Sequence, residues 1–355
     1  MVLKNIKALL CLLLAVLLPF TLTDCSFFTD NSHISEPKTK MYFDYFDTVS
    51  YIYSYSQDDD ASFDKKEKEI AEVLKEYHRL FDIYNEYDGI SNLCTVNKQA
   101  GKNKVKVDQK LIDFMKYCKD IYFVTGGQVN VMMGSVISLW RECRDISVNE
   151  PDKATIPSED KLNEAKKHTD ISFLEIDDKN NTLYISDLNA SLDVGAVGKG
   201  YAVERVAETF GNDSLYGYVL NIGGNIKMIG KKAENQGWIT GIKDPYDPEN
   251  KLALKLNLSD ISCVTSGSYE RFFIVNGKNY HHIIDIDTQR PANYFSSVSV
   301  ITEDSGLADA LSTALFCMSY EEGLDLISRL EGVDAVWIDL SGNIIYTENI
   351  SKYVC

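Results

Sequence analysis

The sequence predicts an α+β fold, with mixed sheets and helices packed against them. Three observations point there. Runs of β-branched and aromatic residues bounded by glycine-rich turns dominate from Phe173 to Val300. Segments with helical apolar spacing lie on both sides of that stretch. The two kinds of element do not alternate with the regular beat of a doubly wound parallel sheet.

In chain order, Met41 to Tyr55 alternates aromatic and β-branched residues and reads as one strand. Asp64 to Tyr84 reads as an amphipathic helix, because Ile70, Val73, Leu74, Tyr77, Leu80 and Phe81 recur at helical spacing. Leu111 to Val124 reads as a second helix, stopped by Gly126-Gly127. Strands are expected at Tyr218–Ile222, Trp238–Ile242, Phe272–Val275 and Ser297–Ile301. Helices are expected at Gly306–Met318 and Tyr320–Leu330, followed by strands around Ala335–Ile338 and Ile344–Tyr346.

The first residues read as a targeting segment outside the fold. Lys4 and Lys7 precede an apolar run from Ala8 to Phe20, too short for an ordinary spanning helix. Leu22-Thr23-Asp24-Cys25 then resembles a bacterial lipoprotein box, although Asp24 stands where a small residue is usual. The domain plan is therefore a signal peptide over 1–24, a lipid-anchored tether over 25–40 and one domain over 41–355. Acylation of Cys25 would place the domain on the extracytoplasmic face of a bacterial cell membrane. A plain signal peptide, or an uncleaved anchor with an incidental cysteine, is the alternative.

The chain has 355 residues and a formal net charge of -17. Nucleic-acid binding needs a basic footprint that displaces counterions, and the bulk charge argues against it. The eight cysteines form no CxxC pair and no metal-type spacing with histidine. Cys118 and Cys317 stand in apolar patterns and read as small core residues.

Four stretches carry candidate chemistry. Asp193-Val-Gly-Ala-Val-Gly-Lys-Gly-Tyr-Ala202 places three glycines and a lysine where a helix opens, which suits an anionic group or a plain structural turn. Asn221-Ile-Gly-Gly-Asn-Ile226 follows a buried apolar run and reads equally as a hairpin or as a close backbone passage. Thr265-Ser-Gly-Ser-Tyr-Glu-Arg-Phe-Phe273 leads to His281-His-Ile-Ile-Asp-Ile-Asp-Thr-Gln-Arg-Pro291. There His282 is a candidate general base, and Asp285 and Asp287 are more often turn formers than ligands. On the predicted helix Gly306–Met318, Asp309 and Thr313 stand one turn apart on one face. Both offer oxygen to a hard cation such as Mg²⁺, but a tightly packed small-residue helix is the bland reading.

Together, and in this order, these blocks and the downstream Ala-Asp-Ala-Leu-Ser-Thr-Ala-Leu-Phe resemble the ApbE family of FAD:protein FMN transferases. The resemblance runs from about Tyr42 to Ile344. It implies an ApbE-like (T-fold-like) architecture, FAD as substrate, Mg²⁺ as cofactor and an exported or membrane-bound target flavoprotein that presents a Thr or Ser hydroxyl. Position by position, it implies a metal held by Asp309, Thr313 and the Ala196 carbonyl. It implies FAD contacts at Tyr84, Asp193, Lys199, His282 and Ile283, with His282 and Asp309 serving the chemistry. Two departures stand out. Phe46 of Phe46-Asp47-Thr48 occupies the place of the family's methionine. Gly126-Gly127-Gln128-Val129-Asn130 replaces Gly-Gly-Ala-Phe-Asp, so Gln128, Val129 and Asn130 face FAD with an amide where a carboxylate is usual. Gly134 to Trp140 restores the match. A hydrolase that splits FAD to FMN and AMP, or a flavin-binding lipoprotein without turnover, are the alternatives.

Overall fold

The computed structural model describes residues 37–55, 60–211, 217–232, 236–247, 249 and 251–355. The export segment, Cys25 and most of the proposed tether lie outside the described residues. Lys38–Tyr45 (β1) and Thr48–Ser54 (β2) open the fold, followed by the long helix Asp60–Phe81 (α1) and the short helix Leu93–Lys98 (α2). Next come Val105–Lys106 (β3), Gln109–Val124 (α3), Gly134–Asn149 (α4), Glu159–Lys166 (α5), Leu174–Asp177 (β4) and Thr182–Ile185 (β5). Gly198–Glu208 (α6) precedes Tyr218–Ile222 (β6), Asn225–Ile229 (β7), Trp238–Lys243 (β8), Leu252–Leu258 (β9) and Ser262–Gly267 (β10). The chain ends through Phe272–Val275 (β11), Lys278–His281 (β12), Phe295–Thr302 (β13), Ser305–Phe316 (α7), Tyr320–Ser328 (α8), Asp334–Asp339 (β14) and Ile344–Tyr346 (β15).

The α+β expectation holds. An eight-stranded sheet runs in the order β1-β2-β6-β7-β10-β13-β14-β15, and each neighbouring pair is antiparallel. Smaller sheets are β3-β5-β4, β8-β9 and β11-β12. One face of the main sheet is covered by helices. There Val264, Val298, Val300, Ala335 and Trp337 pack with Ala308, Leu311 and Leu315 of α7, while Ile52, Leu220 and Ile222 pack with Ile70, Leu74 and Val203. The other face carries β8-β9, where Trp238, Ile242 and Leu256 meet Cys263, Ile301, Val336 and Ile338. Strand β13 is therefore buried along its whole length, which is why it reads as a continuous apolar and small-residue run.

Three expectations need correction. Met41 to Tyr55 is not one strand but the hairpin β1–β2, turning at Phe46 and Asp47 with φ of 54° and 50°. Neither residue advertises a left-handed turn as Asn-Gly would, so alternation appeared unbroken. Residues Lys38 to Lys40, assigned to the tether, pair with Ser54 to Ile52 and belong to β1. Their charge hid the alternation. The helix expected to reach Tyr84 ends at Phe81, where Asp82 accepts hydrogen bonds from the Tyr84 and Asn85 N–H groups and turns the chain. The glycine stop after α3 is as expected: Gly126 and Gly127 have φ of 60° and 93°, and Gly127 N–H donates to the Tyr122 carbonyl. Cys94, Cys118, Cys143, Cys263 and Cys317 are buried thiols, and Cys355 is an exposed one. No helix among the described residues is long and apolar enough to cross a membrane.

Candidate active site

The glycine-rich block is placed by what lies behind it. Tyr77 and Phe81 of α1, Phe114 and Tyr117 of α3 and Tyr201 of α6 form one aromatic cluster, with the Phe81 and Phe114 rings 3.8 Å apart. Each such pair adds about 0.5–1.5 kcal/mol beyond area burial. The cluster fixes the start of α6, and α6 in turn lies directly on α7. A Cβ at Gly200 would stand 2.3 Å from the Ser305 carbonyl oxygen and 2.5 Å from Asp309 Cβ, so only glycine permits this approach. Glu204 Oε2 accepts from Ser305 N–H at 2.7 Å, tying α6 to the first turn of α7.

Asp309 is the centre of the arrangement. It is 4% exposed, its Oδ2 accepts from Gly200 N–H at 2.8 Å, and Lys199 Nζ lies 3.6 Å from Oδ1. Burial pushes its pKa up, against the opposing pull of Lys199, Gly200 N–H and the Asn225 side chain. Asn225, 1% exposed, also keeps its Oδ1 without a partner. Thr313 Oγ1 contacts Ser266 Oγ of β10 at 3.4 Å, while Ser312, not Thr313, bonds back to the helix through the Asp309 carbonyl. The helix is the tightly packed small-residue element expected, with Ala308, Ala310, Ser312 and Ala314 buried, while the Thr313 hydroxyl is turned to β10 and not to its own backbone. Ala196 is half-buried against the core in the loop that carries Lys199, whose Nζ donates to the Gly195 carbonyl at 3.4 Å.

A second wall stands beside this loop. Asp193 Oδ1 accepts from Gly195 N–H at 3.0 Å, and Asp193 Oδ2 pairs with Arg141 at 2.5 Å. The Arg141 guanidinium lies 4.8 Å from the Tyr84 ring centroid, which leaves the ring 52% exposed and available as a flat face. A third wall carries His282. Its Nδ1 donates to the Arg271 carbonyl at 3.3 Å, which leaves Nε2 with a free lone pair. The residue itself is exposed to solvent. Desolvation by the surrounding protein, and then the charges of Arg271 and Lys199, push its pKa below the ordinary histidine value and favour the neutral ring. Arg271 also donates to the Asp47 carbonyl at 3.1 Å, bringing the Phe46–Asp47 turn to the same side. Phe46 packs edge-on against His78 at 5.6 Å.

The other sequence-derived residues have structural partners. Ile283 is buried and its carbonyl accepts from Ala292 N–H. Asp285 Oδ1 accepts from Asp287 and Thr288 N–H groups, as a turn former does. Asn130 is committed at both ends of its amide, accepting from Met132 N–H and donating to the Thr169 carbonyl. Val129 is buried. Gln128 lines a separate cleft of about 260 Å³ with Phe123, Met318 and Arg329, which none of Tyr84, Asp193, Lys199, His282 and Asp309 lines. The sequence reading did not single out Arg141 or Arg271. Arg141 directly follows Gly134–Trp140, and Arg271 lies inside the Thr265–Phe273 block, so their positions were the available signal.

The donor set fits a hard cation. Asp309 and Thr313 supply side-chain oxygen, and Ala196 can supply a carbonyl. Among the described residues no group of three or more His, Cys, Asp or Glu is placed to hold a metal, so a ligand's own oxygens would have to complete the shell. Around it, Lys199, Arg141 and Arg271 form a cationic rim in an acidic protein, which suits a pyrophosphate.

The family model described as the ApbE family matches residues 46–337. The FAD:protein FMN transferase of Treponema pallidum is 34% identical over 262 residues, covering 70% of each chain. That of Escherichia coli K12 is 26% identical over 264 residues, covering 74% of each. The crystal structure of the ApbE protein from Thermotoga maritima superposes with a TM-score of 0.78 at 26% identity, over 90% of this chain and 99% of that one. The flavin transferase ApbE from Vibrio cholerae has the same fold, with a TM-score of 0.72 at 22% identity over 89% of this chain and 99% of that one. By the family match over most of its length and the 34% identity to a relative covered to 70%, the chain belongs to the ApbE family.

Proposed function

We propose that this protein transfers FMN from FAD to a Thr or Ser hydroxyl of a target flavoprotein and releases AMP. The observation that carries the reading is the convergence of a buried Asp309 and a half-buried Thr313 with Lys199 and His282 around one glycine-rich loop. Asp309, Thr313 and the Ala196 carbonyl would hold Mg²⁺, which supplies charge neutralisation at the pyrophosphate.

The chain's own residues account for the remaining steps. Tyr84, backed by Arg141, offers its ring to a flat portion of FAD. Asp193 holds Arg141 in place through their ion pair. Lys199 is near enough to leave Asp309 for a phosphate oxygen. The acceptor hydroxyl forms a new O–P bond to the FMN phosphorus, and the anhydride O–P bond breaks with AMP as leaving group. His282 Nε2 takes the hydroxyl proton, since Nδ1–H is engaged with the Arg271 carbonyl. Anionic phosphate beside Lys199 and Arg271 offsets the charges that depress the imidazole, raising its basicity when substrate is bound.

A second reading has one observation in its favour. His282 keeps an open face, so water can take the acceptor's place and yield FMN and AMP. One experiment separates the two. The protein is incubated with FAD, Mg²⁺ and an acceptor domain bearing the family's Thr-containing segment, and the acceptor's intact mass is read. A gain of one FMN minus water supports the transferase, whereas AMP and free FMN without a gain support hydrolysis. Neither product, with FAD retained, would overturn the enzymatic reading. Acylation at Cys25 and a place on the outer face of a bacterial membrane complete the proposal, tested by mass spectrometry of the N-terminal peptide from membranes.

A further inference from the structure

The hairpin β11–β12 runs straight into His282, and it has an unused edge. Its turn, Asn276-Gly277, has φ of 51° and 76°, the two-residue form that makes the flanking residues Val275 and Lys278 a hydrogen-bonded pair. Pairs alternate along an antiparallel ladder, so Phe273 with Tyr280 and Arg271 with His282 are bonded pairs too. The His282 N–H bond to the Arg271 carbonyl at 3.1 Å agrees. Phe272 and Ile274 therefore point their N–H and C=O groups away from β12. Among the described residues nothing pairs with those groups.

The side chains give the strand two different faces. Phe273 and Val275 are buried with Trp140 of α4, whereas Phe272 and Ile274 are 42% and 53% exposed. An apolar strand edge with unpaired backbone is a liability that proteins ordinarily charge, cover or shorten. On the β12 side, near the site, His281 Nε2 donates to the Ala292 carbonyl at 2.8 Å.

We propose that the outer edge of β11 is the docking strand for the acceptor protein. An extended segment of the acceptor adds to the hairpin as a third strand. Phe272 and Ile274 supply its backbone partners and an apolar contact for its alternate side chains. The proposal rests on the transferase reading above, which requires a protein hydroxyl at His282. Continuity with the site selects the occupant. β11 begins next to Arg271, whose carbonyl orients His282 and whose guanidinium reaches Asp47. At about 3.3 Å per residue, a segment paired at Ile274 and Phe272 continues past Arg271, where it lies two strand spacings, about 10 Å, from the His282 backbone, within reach of an extended chain that turns toward it.

The test uses the full protein with FAD, Mg²⁺ and the acceptor domain. Ile274→Pro removes an outward N–H at an edge position where proline is tolerated. The double variant Phe272→Ser, Ile274→Ser removes the apolar contact and leaves the backbone intact. We expect each to raise KM for the acceptor on the order of tenfold or more, with kcat, FAD affinity and acceptor-free AMP release unchanged. Amide exchange at residues 272–274 of the unaltered protein should slow when acceptor is added. If the proline variant melts early, the serine variant decides. Wild-type KM in the serine variant, or unprotected amides at 272–274, overturns the docking strand alone. If the unaltered protein forms no FMN–acceptor adduct, the transferase reading falls and this proposal falls with it.

Discussion

Asp309 and His282 show how desolvation acts in opposite directions on an acid and a base. Desolvation raises the Asp309 pKa, and desolvation with the charges of Arg271 and Lys199 lowers that of His282, so each is pushed toward its neutral form. A carboxylate held in this way is costly to the empty protein and useful only when a cation arrives. Asp309→Asn should therefore cut transfer on the order of 10³-fold. It should leave the metal-free protein no less stable, with a gain of up to about 1 kcal/mol, as read by steady-state rates beside thermal melting. His282 sets a pH dependence of definite sign. Its folded pKa lies below the ordinary value near 6.5, so between those two values the unfolded chain binds the proton first. Stability is full above about pH 6.5 and declines as pH falls toward the folded value of about 3. Melting curves of the unaltered protein and of His282→Gln should converge above pH 7, with the variant losing less stability at pH 5. These two residues were legible in the sequence, because a histidine beside an apolar pair and an Asp–Thr pair one turn apart are local patterns. Arg141 and Arg271 were not, since their roles arise only when α4 and the β11–β12 hairpin meet the glycine loop.

The decisive contact among elements is α6 on α7, and a single glycine sets its closeness. Gly200→Ala gains helix propensity of about 1 kcal/mol. That gain is outweighed, because the added methyl meets the Ser305 carbonyl and Asp309 Cβ, neither of which is the end of a flexible side chain. α6 must move away from α7, with a net loss of about 2 kcal/mol. The movement also lengthens the Gly200 N–H bond to Asp309. A lower urea midpoint together with weaker Mg²⁺ binding is the expected outcome, and an unchanged midpoint would refute it. The same closeness explains which elements could be read in advance. α3, α7, α8 and the strands at Tyr218, Trp238 and Phe272 carry their periods within themselves. α7 starts one residue earlier than expected because Asp304 caps it through Leu307 N–H. The β1–β2 turn was hidden because Phe46 and Asp47 adopt left-handed φ only where β2 pairs with β6 and His78 receives the Phe46 N–H.

At the scale of the molecule, the site is assembled from segments that lie far apart in sequence. Tyr84 follows α1, Arg141 belongs to α4, Asp193 and Lys199 open α6, His282 follows β12, and Asp309 and Thr313 stand on α7. The eight-stranded order, which places β6 beside β2 and β13 between β10 and β14, is what brings these segments together. No single stretch could reveal that order, since pairing partners are chosen by burial on two faces. FAD and Mg²⁺ bind, on the reading proposed above, where these segments converge, so each completes a surface the other needs. The two should therefore stabilise the protein cooperatively. A ligand at 100 times its Kd adds about 2.7 kcal/mol. The melting shift with FAD and Mg²⁺ together should exceed the sum of the separate shifts. The excess should vanish in Asp309→Asn, where the FAD-only shift persists through Tyr84, Arg141 and Lys199. Strictly additive shifts in the unaltered protein would mean that cation and pyrophosphate do not share oxygens. The metal would then belong elsewhere than at Asp309 and Thr313.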